Sequence, residues 1–443
     1  MTTPNVADDL TTAAIHVLNN NWAGSHTLPA SGLYPHQWSW DSGFIAMGLR
    51  HVHPERAQLE LETLLNGQWT DGRVPQIVYD VSRDDDYSPG ASFWRSTQHA
   101  AAPTVPTTGL IQPPNHAWAA WEVHQANPTA PGSMDFLARI YPRLVAWHEY
   151  LASRRTRGGG ALACVVHPWE SGMDNSPLWD EVLAGVPSTP QHQVNRPDLA
   201  HADLTERPSE KEYGKYYWLA EQYRDQHLDD VHGELSFIME DPTFNALWAR
   251  SELALASISE VIGVDPSIHR KRAQDLTAAL ASLYDEELGL FTARDVISGT
   301  LVHKATISGV IPLILPDLEQ APAVLRTLMG PRFLQGHPFM VPSYDVMAED
   351  YEPNQYWRGP AWFNMTWLVI LGLRTYGGYA EANRLAENLC GLALKHDFPE
   401  YVHPGTGTPH GTRNFSWTAA LALDLAQTGG SLAPISAGPG MTK

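Results

Sequence analysis

The chain has 443 residues, 43% of them hydrophobic, which allows one large domain or two to three ordinary ones and a sizeable core. Its formal net charge of −20 repels phosphate backbones and anionic membrane surfaces, and no apolar run approaches the ~20 residues of a membrane span, so neither nucleic acid nor membrane is expected as a partner. Its two cysteines, Cys164 and Cys390, exclude a disulfide framework and favour a reduced, cytoplasmic setting.

Apolar residues at helical spacing predict helices from the N-terminus onward. The first ten residues lack a basic stretch followed by an apolar one, so no secretory signal is expected there. Helices are predicted over 6–22 and over 54–66, the second with Pro54 in its first position. Between them, Asp41 follows an aromatic run and precedes an apolar one. It is interpreted as a helix N-cap or as a ligand-binding carboxylate, and the two roles are compatible.

Three consecutive aspartates, Asp84 to Asp86, lie in the irregular stretch that follows. They superficially resemble the magnesium-binding aspartates of terpene cyclases, which are also α-helical. Because they lie among Ser, Pro and Gly and have no partner motif, we interpret them as a solvated turn.

Two more helices are predicted, one from near Pro114 and one over 133–154, where Pro142 marks a break or a helix start. The periodicity then fails from about 155 to 240, which is long for a loop in a compact domain. Its density of Trp and Tyr argues against disorder. We therefore interpret residues 155–240 as an inserted, cap-like region that covers the mouth of a pocket.

Within that region, the segment HPWESGMDNSPLWDE (167–181) combines four carboxylates with two tryptophans. The mixture suits a carbohydrate pocket, because aromatic faces stack on the apolar face of a pyranose while carboxylates bind hydroxyls or transfer protons. An ordinary loop with a few buried anchors is the alternative interpretation.

Regular helices are predicted again from Asp241, which serves as N-cap to a helix that ends at Gly263. Further helices are expected over 265–285 and around 305–330. Over 360–396 a helix that is apolar nearly all round is followed by an amphipathic one, as an inner helix followed by an outer one would be. Repeated about six times, this pair gives an all-α fold, an (α/α)6 barrel or toroid, which we expect to form a single domain.

Four segments resemble motifs of the clan that contains trehalases and glycoside hydrolase family 63. The match extends from about residue 33 to 420, and the compact form most resembles bacterial members that hydrolyse glucosylglycerate or mannosylglycerate. Met173 and the Ser176–Pro177 pair depart from the trehalase signature, which has an aromatic residue and a Ser-Arg pair at these places. The four segments are QWSWDSGF (37–44), ESGMDNS (170–176), QYWRGPAW (355–362) and EYVHPGTG with FSW (400–417).

The resemblance implies an inverting glycosidase that uses a general acid and a general base. Asp174 matches the acid and Glu400 the base, and their carboxyl groups are expected roughly 6.5–9.5 Å apart to leave room for the attacking water. Glu170 is the alternative acid, whereas Asp180 and Glu181 are interpreted as structural or solvated.

A glycerate leaving group carries a carboxylate, which a protein of net charge −20 has to hold with a local cation. Arg207 matches the family's glycerate-binding arginine, and its planar guanidinium suits a carboxylate; a surface ion pair is the alternative. Any of the candidate tryptophans could instead be simple core. The other residues expected to bind substrate are Tyr34, Trp38, Trp40, Asp41, Gln112, Trp169, Tyr213, Tyr356, Trp357 and Trp362.

No metal or cofactor is expected, because His403 and His410 lie in a turn with no third ligand at a telling spacing. A neutral α-glucoside, as in trehalase-like enzymes, is the alternative substrate, and a non-catalytic sugar-binding α/α protein is a third interpretation. The choice between glucose and mannose stays open, as does the oligomeric state, a homo-oligomer included.

Overall fold

The computed structural model describes residues 6–200 and 203–431. Within these ranges it contains fourteen α-helices, most of which span nine residues or more. In chain order they are α1 (Val6–Asn20), α2 (Ser39–Leu49), α3 (Pro54–Asn66), α4 (Ala91–Trp94), α5 (His116–Ala126), α6 (Ser133–Arg154), α7 (Asp180–Ala184), α8 (Glu210–Asp225), α9 (Pro242–Ile262), α10 (Ser267–Leu280), α11 (Ala321–Met329), α12 (Phe363–Thr375), α13 (Tyr379–Lys395) and α14 (Ser416–Thr428).

Short antiparallel strands join the connections between helices. Strand β1 pairs with β2, β3 with β4, β4 with β7, β7 with β8, β5 with β6, and β10 with both β9 and β11. Three of them directly precede buried helices: β1 leads into α2, β4 into α9 and β9 into α12. Each strand has two residues: β1 (Gln37–Trp38), β2 (Ile77–Val78), β3 (Cys164–Val165), β4 (Met239–Glu240), β5 (Tyr284–Asp285), β6 (Leu290–Phe291), β7 (Arg294–Asp295), β8 (Thr300–Leu301), β9 (Ala361–Trp362), β10 (Tyr401–Val402) and β11 (Pro409–His410).

Six buried segments contact one another in a closed ring. Helix α2 packs on α5, α5 on α9, α9 on the 3-10 turn Ile311–Ile314, that turn on α12, α12 on α14, and α14 on α2 again. Every residue of α2 is buried, as is every residue of α12 up to Leu373, which explains why these sequences are apolar nearly all round.

Amphipathic helices cover the ring from outside. Helix α1 packs on α14, α3 on α2, α6 on α9, α10 on α9, and α13 on α12 and α14. In α13 the buried face includes Leu385, Leu389 and Leu392, which confirms the predicted stripe. Among the described residues, no helix combines the length and the apolar character needed to cross a membrane.

Several predicted helix boundaries are confirmed by their capping groups. Helix α3 has Pro54 in its first turn and spans the predicted residues. The Asp241 carboxylate accepts the Phe244 N–H at 2.9 Å at the start of α9, and Gly263 ends that helix in the left-handed region at φ +76°. The three consecutive aspartates end a surface 3-10 turn, Val81–Asp86, as expected of a solvated turn.

Three local predictions are wrong. Asp41 is not an N-cap, because β1 leads directly into α2 and Trp38 takes that position, which leaves Asp41 in the first turn. Pro142 neither breaks nor starts a helix: α6 continues through it, and buried residues such as Ile140 and Leu144 pack the helix on both sides of the proline. Within the supposedly irregular 155–240, α8 is a complete helix that begins with a capping box at Ser209.

A buried aspartate joins three helices of the inner ring. Asp424 on α14 is paired with Arg50 at the end of α2 at 2.9 Å, contacts His51 at 2.9 Å, and accepts a hydrogen bond from the Trp367 indole of α12 at 2.9 Å. Its side chain has no exposed surface, so its charge depends on these partners.

We therefore expect Asp424→Asn to lower the free energy of unfolding by about 3 kcal/mol, because it leaves the buried Arg50 without its nearest counter-charge. Urea unfolding measures this loss. Asp275→Asn is the matched control, since Asp275 forms an exposed pair with Lys271 and should change the same quantity by less than about 1 kcal/mol. Equal losses in the two variants would contradict the role of Asp424.

Candidate active site

One pocket opens where the N-terminal ends of the inner helices meet the 155–240 region. The residues before or within the first turns of α2, α12 and α14 contribute to its wall, together with residues ahead of α5 and α8. Every site residue expected from the sequence lines this pocket: Tyr34, Trp38, Trp40, Asp41, Gln112, Trp169, Asp174, Arg207, Tyr213, Tyr356, Trp357, Trp362 and Glu400.

The segment that bears Asp174 is fixed by its own backbone turns. A 3-10 turn, Pro168–Ser171, ends at Gly172 in the left-handed region with φ +73°. A Cβ atom at Gly172 would lie 2.5 Å from the Trp40 ring, so only glycine lets the two segments approach this closely. Beyond it, the Trp179 indole donates to the Met173 carbonyl at 2.8 Å. Asp174 is therefore presented to the pocket from a packed turn.

Glu170 does not fit the role of acid. Its carboxylate is fully buried outside the pocket lining and receives two hydrogen bonds from Arg155, at 2.7 and 2.8 Å. It also accepts the main-chain N–H groups of Ile111 at 3.0 Å and Val166 at 2.7 Å. All of its acceptor positions are thus occupied, and the residue joins the Asp174 segment to the segment before α5.

The neighbouring acidic residues have the structural or solvated character expected of them. Asp180 pairs with Arg358 through both oxygens, at 2.9 and 2.8 Å. Glu181 is exposed. Neither side chain lines the pocket.

Glu400 reaches the pocket from the turn before β10. Its Oε1 accepts the Tyr34 hydroxyl at 2.9 Å, and its Oε2 accepts the Thr412 N–H at 3.3 Å. Burial raises the pKa of Glu400 above its usual value, although the Arg207 charge and these hydrogen bonds oppose the shift. The carboxylate is thus held in one orientation while one of its faces lines the pocket.

Burial also changes the pKa of Asp174 from that of an ordinary aspartate. Its side chain is half-buried, because it lines the pocket, yet the surrounding protein withdraws it from bulk water. This desolvation raises the pKa of Asp174 to about 7, with Arg207 lowering the pKa and Glu400 raising it. The pKa of Asp41 is raised well above its usual value by desolvation, with Glu400 among the charges that add to the shift. Asp174 is therefore a pocket carboxyl group that keeps its proton up to near neutral pH.

Arg207 brings a positive charge to these carboxyls. Its Nη1 lies 3.4 Å from the Tyr34 hydroxyl, its Nε lies 3.4 Å from Asp198 Oδ2, and its guanidinium lies 4.4 Å from the centre of the Tyr356 ring. Asp198 also receives two hydrogen bonds from Arg196, at 2.9 and 2.8 Å. Arg207 is therefore a buried pocket residue and not a surface cation.

Aromatic rings form much of the remaining wall. Trp357 and Trp362 stack with 3.9 Å between ring centres and 3° between ring planes. Trp40 is held by its backbone, because Gln112 accepts its N–H at 3.2 Å. Trp169 packs against Tyr213 at 6.1 Å. The pocket lining combines flat aromatic faces with carboxyl groups, a composition that suits sugar binding.

Some pocket residues escaped the sequence interpretation. Trp417 and Phe415 belong to the FSW motif at the start of α14, so a signal for them was present. Tyr87 and Asp198 lie in irregular segments without a recognisable motif, and only the folded chain brings them to the pocket.

The two histidines considered as metal ligands have other partners. His410 Nδ1 donates to Glu206 at 2.6 Å, and His403 Nδ1 accepts the N–H groups of Gly405 and Thr406 at 3.1 and 3.2 Å. Across residues 6–200 and 203–431, no group of three or more His, Cys, Asp or Glu side chains is arranged to hold a metal ion.

Comparison with known proteins gives consistent matches along nearly the whole chain. The family model of the mannosylglycerate hydrolase MGH1-like glycoside hydrolase domain matches residues 34–418. The mannosylglycerate hydrolase of Rubrobacter radiotolerans is 38% identical over 432 residues, which cover 95% of this chain and 98% of that protein. The glucosylglycerate hydrolase of Mycolicibacterium hassiacum is 35% identical over 434 residues, covering 94% and 97% of the two chains.

Solved structures agree with the sequence matches. The GH63 mannosylglycerate hydrolase from Thermus thermophilus, crystallised in complex with Tris and D-glycerate, has a TM-score of 0.86 and 35% identity, and the match covers 94% of this chain and 99% of that chain. Neutral trehalase Nth1 from Saccharomyces cerevisiae, with a TM-score of 0.57 at 16% identity over 91% of this chain and 73% of that chain, is similar in fold alone.

The raised pKa of Asp174 makes the stability of the folded protein depend on pH, independently of catalysis. The folded protein keeps this proton up to about pH 7, whereas the unfolded chain loses it near the ordinary value of 3.8, so ionisation lowers stability as the pH rises between these values. Asp174→Asn is neutral in both states. We expect its melting temperature to exceed that of the wild type by a margin that grows from about pH 4 and levels off above about pH 7.

Calorimetry at several pH values tests this expectation. Asp180→Asn is the matched control, because it removes a carboxylate of the same segment that is paired with Arg358 outside the pocket, and it should give no such gain. A difference between Asp174→Asn and wild type that stays constant with pH would rule out the raised pKa.

Proposed function

The chain belongs to the mannosylglycerate hydrolase MGH1-like family of glycoside hydrolases, within glycoside hydrolase family 63, and is a glycosidase; on this premise we propose that it hydrolyses the α-glycosidic bond of glucosylglycerate or mannosylglycerate to free hexose and D-glycerate. The observation that carries the proposal is the pocket itself, in which the carboxyls of Asp174 and Glu400, the guanidinium of Arg207 and stacked aromatic rings come together. Membership of a glycosidase family speaks against a non-catalytic sugar-binding protein.

We assign the acid to Asp174 and the base to Glu400. A general acid has to carry a proton near the working pH, and the pKa of about 7 gives Asp174 that property. Glu400 accepts hydrogen bonds from Tyr34 and Thr412, which fix the orientation of its carboxylate. In this assignment Asp174 protonates the glycosidic oxygen while Glu400 removes a proton from water attacking the opposite face, so the anomeric configuration inverts.

We assign the leaving-group end of the pocket to Arg207. A buried guanidinium in a protein of net charge −20 suits a carboxylate ligand, because its planar group can donate two parallel hydrogen bonds. D-glycerate in the crystal of the Thermus thermophilus enzyme supports this chemistry, since that protein is 35% identical to this chain. The hexose would then lie among Trp40, Asp41 and Trp362.

We further propose that the closed ring of inner segments and its outer layer form an (α/α)6 barrel. In this description residues 1–443 are a single catalytic domain, with 155–240 as the cap-like region; residues 1–5, 201–202 and 432–443 lie outside the described part. The ring of contacts from α2 round to α14 supports the barrel. Pocket residues such as Asp198 and Arg207 support the cap.

The second candidate function is that of a trehalase-like α-glucosidase acting on a neutral substrate. Neutral trehalase shares the fold of this chain, so the fold by itself does not separate the two functions. Arg207 speaks against it, because a neutral leaving group leaves this buried charge without a use in binding.

We expect hexose release from glucosylglycerate, mannosylglycerate or both, and none from trehalose, when the three are compared under one set of conditions. NMR of the first product formed from an α-glycoside should show the β-anomer.

Asp174→Ala and Glu400→Ala should each lower kcat by roughly 10²–10⁴-fold. The rate should fall as the pH rises above about 7, because Asp174 then loses its proton.

Glu181→Ala controls for effects of the Asp174 segment, since Glu181 is exposed and should keep wild-type turnover. Near-normal kcat in either pocket variant would remove that residue from the mechanism. Release of the α-anomer as first product would exclude inversion.

Arg207→Met should raise KM for the glycosylglycerates by about 10–100-fold, the range expected for a lost hydrogen-bonded charge. Each variant is measured at its own pH optimum, because Arg207 also lowers the pKa of Asp174 and Glu400. Arg358→Met is the matched control, a guanidinium paired with Asp180 outside the pocket. An unchanged KM in Arg207→Met would favour the neutral substrate.

A further inference from the structure

Glu206 precedes Arg207 and lies outside the pocket lining, yet each of its carboxylate oxygens accepts a hydrogen bond. Its Oε1 accepts a hydrogen bond from His410 Nδ1 at 2.6 Å, and its Oε2 accepts the Gly411 N–H at 2.9 Å. The two donors belong to the hairpin of β10 and β11, which follows Glu400 directly. The side chain therefore fastens the segment of Arg207 to the segment of Glu400.

The main chain of Glu206 joins a third segment to the same point. Its carbonyl oxygen accepts the Tyr356 N–H at 2.9 Å and lies 3.4 Å from the Tyr401 hydroxyl, which donates to it. Tyr356 in turn presents its ring face to Arg207 at 4.4 Å. Glu206 thus connects its own segment, which carries Arg207, with two others, the segment of Tyr356 and the hairpin of β10 and β11.

The hydrogen-bond contacts of the Arg207 side chain with Asp198 and Tyr34 are longer than those of the Glu206 side chain. The Arg207 contacts to Asp198 and to Tyr34 are both 3.4 Å long, and the Tyr401 hydroxyl is a further hydrogen-bonding neighbour of the guanidinium. The regular structure just before it is the single 3-10 turn Leu204–Glu206. The anchored Glu206 therefore helps to fix the position of the guanidinium.

Gly411 links Glu206 to Glu400, the proposed base, because it lies against both side chains. Its N–H binds Glu206, its φ of +64° lies in the left-handed region, and a Cβ atom on it would lie 2.5 Å from Glu400 Oε2. The next residue, Thr412, donates its N–H to the same oxygen of Glu400. A shift of this hairpin relative to Glu206 would therefore displace the Glu400 carboxylate.

A column of rings connects His410 with the pocket wall. Trp357 stacks on Trp362 at 3.9 Å, Trp362 on Tyr401 at 4.5 Å, and Tyr401 on His410 at 6.0 Å. The first two rings line the pocket, and the last donates to Glu206.

We propose that Glu206 is a positioning residue. Through its hydrogen bonds with His410 and Gly411 it fixes the position of Arg207 relative to Glu400. The inference rests on the proposed function, in which Arg207 binds the glycerate carboxylate and Glu400 orients the water. Loss of these hydrogen bonds would let both Arg207 and Glu400 move. A displacement of about 1 Å in such groups can lower the rate roughly 10²-fold.

The test compares Glu206→Ala, His410→Ala and the double variant with the wild type. For Glu206→Ala we expect kcat/KM on the accepted glycosylglycerate to fall roughly 10–100-fold, with KM raised and kcat lowered. The double variant should be no worse than Glu206→Ala, because the two residues act through one contact. Glu206→Gln should recover part of the loss, since its amide can bind both Gly411 and a neutral His410.

Binding of the separate products distinguishes positioning from general structural damage. Calorimetric titration of Glu206→Ala should show weaker binding of D-glycerate and unchanged binding of the free hexose, whereas a distorted pocket would weaken both. Glu210→Ala and His403→Ala are the matched controls, because Glu210 is exposed at the start of α8 and His403 hydrogen-bonds only within its own turn in the part of the chain described. Both controls should match the wild type.

Equal weakening of hexose and glycerate binding, or additive losses in the double variant, would overturn the inference. A wild type that hydrolyses a glycosylglycerate while Glu206→Ala keeps the same kcat/KM would refute the inference alone. A wild type that releases no hexose from either glycosylglycerate would instead refute the proposed function.

Discussion

The removal of several carboxyl groups from water is the constraint on which the rest of the structure depends. Asp41, Asp174 and Glu400 line one pocket, and desolvation is the largest cause of the raised pKa of each. The charge of Glu400 raises the pKa of the other two further. The net charge of −20 means that the protein as a whole does not offset the repulsion among these carboxyls. The nearby guanidinium of Arg207 supplies the local positive charge that does.

A second set of buried charges lies behind the pocket and fixes its geometry. Arg155 binds Glu170 and also Asp230, at 3.1 Å, and Arg73 binds Asp230 at 3.0 Å. Burying ion pairs costs about as much desolvation energy as the attraction returns, so such a network contributes more to a defined arrangement than to net stability. Through the N–H of Ile111 this network reaches the backbone just before Gln112 in the pocket wall.

Sequence periodicity predicted the part of the fold that depends on local physics. Helices with a proline, an N-capping aspartate or a terminal glycine were located well, and the family resemblance is confirmed by the matches along the chain. The sequence failed where tertiary contacts override local signals. Helix α8 was missed because its sequence is polar and contains Gly214, and its buried face consists largely of tyrosines.

The roles of individual charges were harder to predict than the residues of the pocket. Arg155 belongs to the basic run RRTR, which has the composition of a solvated surface, yet the fold buries it completely against Glu170. Glu170 has the same motif context as Asp174, and only the position of Arg155 distinguishes a structural carboxylate from a candidate acid. The sequence and its family resemblance identified thirteen residues that line the pocket, but they could not assign the hydrogen-bond partners of these residues.

Rigidity of the sugar-facing wall bears on the choice between glucose and mannose, which differ in the configuration of one hydroxyl. Trp40 is held by Gln112 at its N–H, by Asn115 at its carbonyl oxygen at 2.9 Å, and by the close approach of Gly172 to its ring. Because this wall is held at three points, we expect discrimination in the proposed hexose subsite to depend on directional hydrogen bonds. Asp41 suits that task, because its carboxyl group lines the pocket and can form directional hydrogen bonds to a hydroxyl group.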